Sequence, residues 1–328
     1  MFRQNFHVVL TVVLILCVRL FWETHATSEF CRKCSCKGAP QRVNCTHRNL
    51  SSVPQNIPNN VEYLDLSHNA ISSLEQNAFE TLTKLKTLFL ENNKITNIEH
   101  GTFKGLHNLQ TLRLTNNKIS KIEKESFVNL PELYEIRLSD NKISKIEKES
   151  FVNLPKLHEI DLARNEISKI EQNSFVNVTR VNTLVLSHNA ISSLEQNAFE
   201  TLTELKTLYL SHNKITKIEN GSLRNLQNLV SLLLSNNNIS KIEKKSFVNL
   251  PELYEIRLSN NKISKIEKES FVNLPKLHVI DLARNEISKI EQNSFVNVTR
   301  VNTLDLSHNA ISSLEQNAFE TLTELKTL

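Results

Sequence analysis

Four cysteines stand close together near the start of the chain, as Cys31-x2-Cys34-x-Cys36-x8-Cys45. Thiols at such spacings can close on one another as disulfides or hold a tetrahedral zinc ion. The residues ahead of them favour oxidation. Arg3, the apolar run His7 to Val18 and the small-residue pattern Thr24-His25-Ala26 predict a signal peptide over residues 1–26, cleaved after Ala26. Arg19 interrupts the run short of the ~20 apolar residues that a spanning helix needs. Cys17 falls inside that leader. An even, clustered set in a secreted chain reads as a disulfide framework, with three connectivities open to four cysteines. Six sequons, at Asn44, Asn49, Asn177, Asn220, Asn238 and Asn297, fit an extracellular home. About half of them are expected to carry glycan.

The elements that must position these groups announce themselves through another residue type. Asparagine recurs every 24 residues, eleven times, from Asn69 to Asn309. Each sits in one frame, as in Leu85-x-x-Leu88-x-Leu90-x-x-Asn93-x-Ile95, followed by Ile98, Phe103 and Leu106. A fixed period of this size marks a solenoid in which each repeat is one coil. Coil 1 is numbered from position 1 at Val61, coil 2 from Leu85, and so on. The frame resembles the leucine-rich repeat in its 24-residue extracellular form, over residues 61–328. That resemblance implies an α/β-type solenoid, a horseshoe with a parallel β-sheet on the concave face and a mostly irregular or short-helical convex side. It also implies that residues 27–60 are a cysteine-rich N-terminal cap, in which the first cysteine pairs with the third and the second with the fourth. Carried over, the pairs are Cys31–Cys36 and Cys34–Cys45. Val53-Pro54-Gln55-Asn56-Ile57-Pro58 matches the family's junction between cap and repeats. The chain departs from the family in having two residues between its first cysteines, and no proline after the first.

Periodicity assigns the remaining columns. Apolar residues at positions 4 and 6 alternate with outward residues at 3, 5 and 7, the pattern of a strand. Eleven such strands side by side give a curved rod ~50 Å long. Ten of the eleven residues at position 19 are phenylalanine, with Leu223 the exception. They are expected to stack inside the convex side, where a bulky ring suits a wider spacing and curves the sheet inward. The asparagine amide can donate and accept, so it is expected to satisfy backbone groups where the strand turns out of the sheet. Position 15 is glutamate in every coil, from Glu75 to Glu315, with lysines at position 13 in seven coils. Such a column could bind calcium, but a solvated surface laced with ion pairs is the simpler expectation. His188 and His212 share position 8 of neighbouring coils, and two histidines without a third ligand make a weak metal site. No nucleophile–base–orienter set or phosphate loop occurs, so neither an enzyme nor a cofactor is expected. The net charge of +4 is spread along the chain, which argues against a nucleic-acid partner.

A longer repeat of five coils overlies the shorter one. Residues 121–208 and 241–328 differ at four of 88 positions: Glu125/Lys245, Asp140/Asn260, Glu159/Val279 and Val185/Asp305. Three of these fall on or beside the outward sheet face. The concave face is therefore the expected ligand surface. Its position-5 row stacks Val185, Tyr209 and Leu233 into an exposed apolar strip with Val230 nearby. Arg257 lies next to the strip, Arg137 lies beyond Asp161, Tyr134 and Tyr254 flank the sheet at position 2, and His212 borders it. Tyrosine and arginine dominate protein interfaces. The family resemblance implies a secreted or cell-surface recognition protein that engages a protein or glycan, the class of Toll-type innate receptors, axon-guidance ligands and lamprey variable lymphocyte receptors. The alternative is a structural matrix or adhesion protein, the small leucine-rich proteoglycan branch, whose first cysteines are spaced differently. Leu325-x-x-Leu328 begins a twelfth coil and stops in its strand. A longer natural protein is therefore expected, and membrane attachment is left open.

Overall fold

A computed structural model describes residues 12–15, 18, 30–38, 41–172, 174–219, 221–244, 246–267, 269–296 and 298–328. Its main element is a sheet of thirteen strands. Ser35–Lys37 runs antiparallel to Arg42–Asn44, which pairs in parallel with Tyr63–Asp65, the strand of coil 1. Ten further coil strands follow in chain order, all parallel. The pairing never slips: Leu184 lies beside Leu208 and Leu208 beside Leu232, each a full 24 residues on. A slip of one residue would turn every buried side chain to solvent, so the alternation itself fixes the register.

Coil 6 shows how one turn packs. Val181, Leu184, Leu186, Ile191, Leu194, Phe199 and Leu202 are all buried, at positions 1, 4, 6, 11, 14, 19 and 22. The same positions are buried in the coils above and below, so the core is continuous along the rod. On the convex side the phenylalanines stack with ring centroids 5.4 to 6.2 Å apart. Strands in the sheet sit only ~4.8 Å apart. Every coil is thus thicker at its back than at its front, which bends the sheet toward its open face.

The asparagine column joins each coil to the one before it. Asn189 donates through Nδ2 to the carbonyls of Leu162 and Leu186, at 2.9 and 3.1 Å. Its Oδ1 accepts from the backbone N–H of Ile167 at 3.0 Å. The pattern runs to Asn309 and starts at Asn69, which donates to the Cys45 carbonyl and accepts from the amides of Arg48 and Leu50. The ladder therefore ties the cysteine-rich segment to coil 1. In that segment disulfides join Cys31 to Cys36 and Cys34 to Cys45, and Phe30, Cys34, Val43 and Cys45 are buried against the first coil.

The convex side consists of turns and of two-residue strands at positions 13 and 14, such as Lys121–Ile122 beside Lys145–Ile146. No helix occurs among the described residues of the array. The backbone explains this. Positions 8 and 17, and position 21 where it is asparagine or glycine, take left-handed φ, as at His188 (56°), Asn197 (62°) and Asn225 (67°), which interrupts any helical run of turns. Asparagine, histidine and glycine suit that conformation. At Gly105 the need is absolute, because a Cβ would meet the Glu80 carbonyl oxygen at 2.4 Å. Arg164, Arg284, Glu125, Glu149 and Glu269 hold it at a cost.

Two stability outcomes follow from these contacts. Asn189→Ala leaves the Ile167 N–H buried without a partner, while the two carbonyls keep Asn165 and Asn213. We expect a loss of about 2–3 kcal/mol in urea denaturation. Arg284→Asn keeps the left-handed turn with a residue that favours it and should gain about 0.5–1 kcal/mol in the same measurement.

Candidate ligand-binding face

Outward residues at positions 3, 5 and 7 line the concave side of the sheet. Register places Val185 beside Tyr209, Tyr209 beside Leu233 and Leu233 beside Arg257. The strip differs from expectation in one respect: its three apolar side chains are half-buried, not exposed. Parallel strands in register are close enough for each side chain to shield the next. Two further apolar residues extend the strip, Val230 at position 2 and Val279 at position 3, both half-buried. The apolar row does not single out Val279; its signal in the sequence is the Glu159/Val279 difference between the duplicated blocks.

The two arginines are less alike than their sequences suggest. Arg137 is paired with Glu135 and with Glu159, the latter at 3.4 Å, and Glu135 also holds Arg113 at 3.3 Å. Arg257 is paired with Glu255, while Val279 stands where Glu159 stands in the first block. Its side chain is 49% exposed, against 38% for Arg137, so only one of the pair is well presented to a ligand.

Tyr134 and Tyr254 are exposed, at 52% and 45%, and lie on the flank of the sheet rather than on its floor. Each stacks on the histidine one coil later, His158 or His278, with centroids 4.5 Å apart in both cases. Those histidines are fixed in turn by Nδ1 contacts of 2.6 and 2.7 Å to the carbonyls of Lys156 and Lys276. His188 and His212 stack at 4.1 Å on the opposite edge, and the His212 Nε2 lies 3.3 Å from the Asn236 amide. Among the described residues no group of three or more His, Cys, Asp or Glu side chains is placed to hold a metal.

Other features lie away from this patch. At coils 1 to 3, Tyr63 packs edge-on to Phe89, and the guanidinium of Arg113 covers the Phe89 ring at 4.8 Å. A cavity of about 880 Å³ opens on the convex side, with Gly221, Leu223, Arg224, Asn249, Pro251 and Pro275 among its walls. It lies where Leu223 interrupts the phenylalanine column, which is the one sequence signal for it. The position-15 glutamates are laced to lysines as expected, either within a coil (Lys241–Glu243, 2.8 Å) or to the next (Lys289–Glu315, 2.6 Å). Of the sequons, Asn44, Asn49 and Asn177 are exposed and Asn238 is half-buried; Asn220 and Asn297 lie outside the described residues. The Asn44 Oδ1 accepts from Thr46 N and Oγ1 at 2.9 and 2.8 Å. No helix of the described residues is long and apolar enough to cross a membrane.

Comparison with known proteins agrees with the fold. The leucine rich repeat family model matches residues 41–95, 83–143, 131–191, 179–239, 227–287 and 275–328. Immunoglobulin superfamily member 10 of Rattus norvegicus is 44% identical over 59 residues, which is 18% of this chain and 2% of that protein. Leucine-rich repeat-containing protein 4 of Homo sapiens is 39% identical over 79 residues, 24% of this chain and 12% of that protein. The chain thus matches only a small part of these curated relatives. A chain from the octameric complex of Latrophilin 3, Unc5D and FLRT2 superposes with a TM-score of 0.71 at 25% identity, over 84% of this chain and 83% of that one. A chain of the Drosophila Toll–Spatzle complex gives a TM-score of 0.78 at 24% identity, over 86% of this chain and 40% of that one, a likeness of fold. Disulfides of the kind seen here persist in oxidising surroundings, and the protein is secreted or sits on the extracellular side of the cell. Six overlapping matches that run from residue 41 to residue 328 leave no doubt that the chain belongs to the leucine-rich repeat family.

Proposed function

We propose that the protein is an extracellular recognition module that grips a protein partner, or a glycan, with its concave sheet. The contact centres on Val185, Tyr209 and Leu233. Arg257, Tyr254 and His212 form its rim, and Arg137 and Tyr134 provide a more distant, more heavily paired margin. The observation that carries this reading is the row of three apolar side chains in register on a sheet face that no element among the described residues covers. Contiguous apolar surface on a soluble scaffold marks interaction sites, and a central tyrosine is a frequent anchor. Similar chains stand in solved complexes with protein partners, among them the Toll–Spatzle complex. Residues 27–60 act as the cap that shields the first coil. The module binds; it does not catalyse.

Tyr209→Ala combined with Leu233→Asp should weaken binding of partners captured from an extracellular-protein array at least tenfold, since anchor residues carry ~2 kcal/mol or more. Thermal melts should stay near those of the parent, because neither side chain enters the core. Unchanged affinity in the double variant would remove the patch from consideration.

His188 makes this edge of the sheet sensitive to pH. Partial burial lowers the His188 pKa below its ordinary 6.5, and the His212 and Arg164 charges push the same way, against Asp140. The folded chain therefore binds this proton less readily than the unfolded chain does. Its contribution to stability is intact above about pH 6.5 and declines as the pH falls below that value. Melting temperatures measured from about pH 7.5 to about pH 5.5 should fall less steeply in His188→Asn, a residue that also tolerates the local φ.

A further inference from the structure

The apolar row is set in an acidic frame, although the chain as a whole carries a net charge of +4. Across coils 5 to 11, the outward positions 3, 5 and 7 present five carboxylates, from Glu159, Asp161, Glu255, Asp281 and Asp305, against one guanidinium, Arg257. Glu159 is taken by Arg137 and Glu255 by Arg257. The remaining three have no cation in any ion pair among the described residues. Each instead turns Oδ1 to a backbone N–H two residues on: Asp161 to Ala163 at 3.0 Å, Asp281 to Ala283 at 3.1 Å and Asp305 to Ser307 at 2.9 Å. Arg137 is the register neighbour of Asp161 and Arg257 that of Asp281, but each guanidinium is drawn to a glutamate and forms no ion pair with the aspartate. Arg164 approaches Asp140 at 4.0 Å, and neither Lys206 nor Arg284 pairs with the three.

Their placement brackets the apolar centre. Asp161 precedes Val185 in register, and Asp281 and Asp305 are direct neighbours two and three strands beyond Leu233. Five strand-to-strand steps separate Asp161 from Asp281, a span of ~24 Å. The duplicated blocks sharpen the contrast. Where the first block has Val185 after Asp161, the second has Asp305 after Asp281, so the acidic pair is particular to the far end.

We propose that the partner's contact segment is basic at its ends and apolar in its middle, a cationic protein segment laid along the rod axis. Its aliphatic or aromatic side chains cover Val185, Tyr209 and Leu233, while its lysines or arginines reach Asp161 on one side and Asp281 with Asp305 on the other. Unpaired charge of one sign on a concave face steers an oppositely charged partner and screens out acidic ones. This rests on the patch proposed above and adds the charge of what fills it.

The test uses a phage-displayed library of random linear peptides panned on the immobilised full chain. Enriched sequences should carry Lys or Arg flanking an apolar core. Their affinity should fall at least tenfold in Asp161→Asn/Asp281→Asn/Asp305→Asn, whose amides keep the Oδ1 contact to the backbone and so keep the fold. Their association rate should drop as salt is raised. Glu219→Gln/Glu243→Gln, which removes convex-side charge, should leave binding unchanged. Enrichment of neutral or acidic peptides, equal binding to the triple variant, or no enrichment at all would overturn the proposal. If Tyr209→Ala/Leu233→Asp abolishes capture while the triple variant does not, the patch stands and its acidic frame is irrelevant. If only the triple variant loses binding, the apolar centre is wrong and this proposal falls with it.

Discussion

A chain that returns on itself every 24 residues must turn a corner after each strand, and at that corner its backbone leaves the sheet. The groups exposed there are sandwiched between the coil before and the coil after, out of reach of water. Unmet, each costs on the order of 1–3 kcal/mol. Asparagine meets them from one side chain. Its Nδ2 supplies two protons to carbonyls in adjacent coils, and its Oδ1 takes the N–H of the previous coil, as Asn189 does with Leu162, Leu186 and Ile167. Aspartate would lack the donors, and the extra methylene of glutamine would carry its amide past the same three backbone groups. The stack stands or falls with this amide, which is why the period cannot drift by a residue.

Once the corner is fixed, the rest of the coil divides by geometry. Side chains at positions 4, 6, 11, 14, 19 and 22 have nowhere to go but inward, and they are apolar. The ring column at position 19 sets the rear thickness and the strands set the front, so curvature is a property of side-chain size, not of a hinge. Left-handed residues at positions 8 and 17, and at 21 in most coils, close the turns and interrupt any helical run on the convex side. What remains unconstrained is the outward row of the sheet. Apart from aspartates that accept a nearby backbone N–H, its residues meet mainly one another and the solvent, so a change there costs the scaffold little.

That division explains what could be read from the chain before its structure was known. The solenoid, the buried columns and the asparagine ladder follow from spacing alone, because each position repeats eleven times and one environment serves all copies. The turn conformations were less legible. Arg164 and Glu149 give no hint of left-handed backbone, and only alignment with the Asn and His of other coils exposes it. Pairings between outward side chains were not legible at all. Arg137 and Arg257 occupy identical local sequences, yet one is held between two glutamates and the other faces Val279. Such differences arise between strands 24 residues apart, where no local pattern reports them. The half-burial of Val185, Tyr209 and Leu233 has the same origin, since each is shielded by a neighbour in another coil.

The five-coil duplication brings these points together. Two blocks of one sequence share their core, ladder and turns, so any difference in what they bind must come from the few outward residues that differ. Glu159 against Val279 removes one partner from an arginine, and Val185 against Asp305 exchanges an apolar contact for a charge beside another charge. Placing two aspartates side by side costs the sheet some repulsion, which solvent on an open face screens. Each aspartate accepts one backbone N–H two residues on, a contact that an asparagine would keep, so the fold does not need their charge. A rigid stack with an indifferent front face can thus carry several unrelated surfaces in one rod, each a few substitutions from the next.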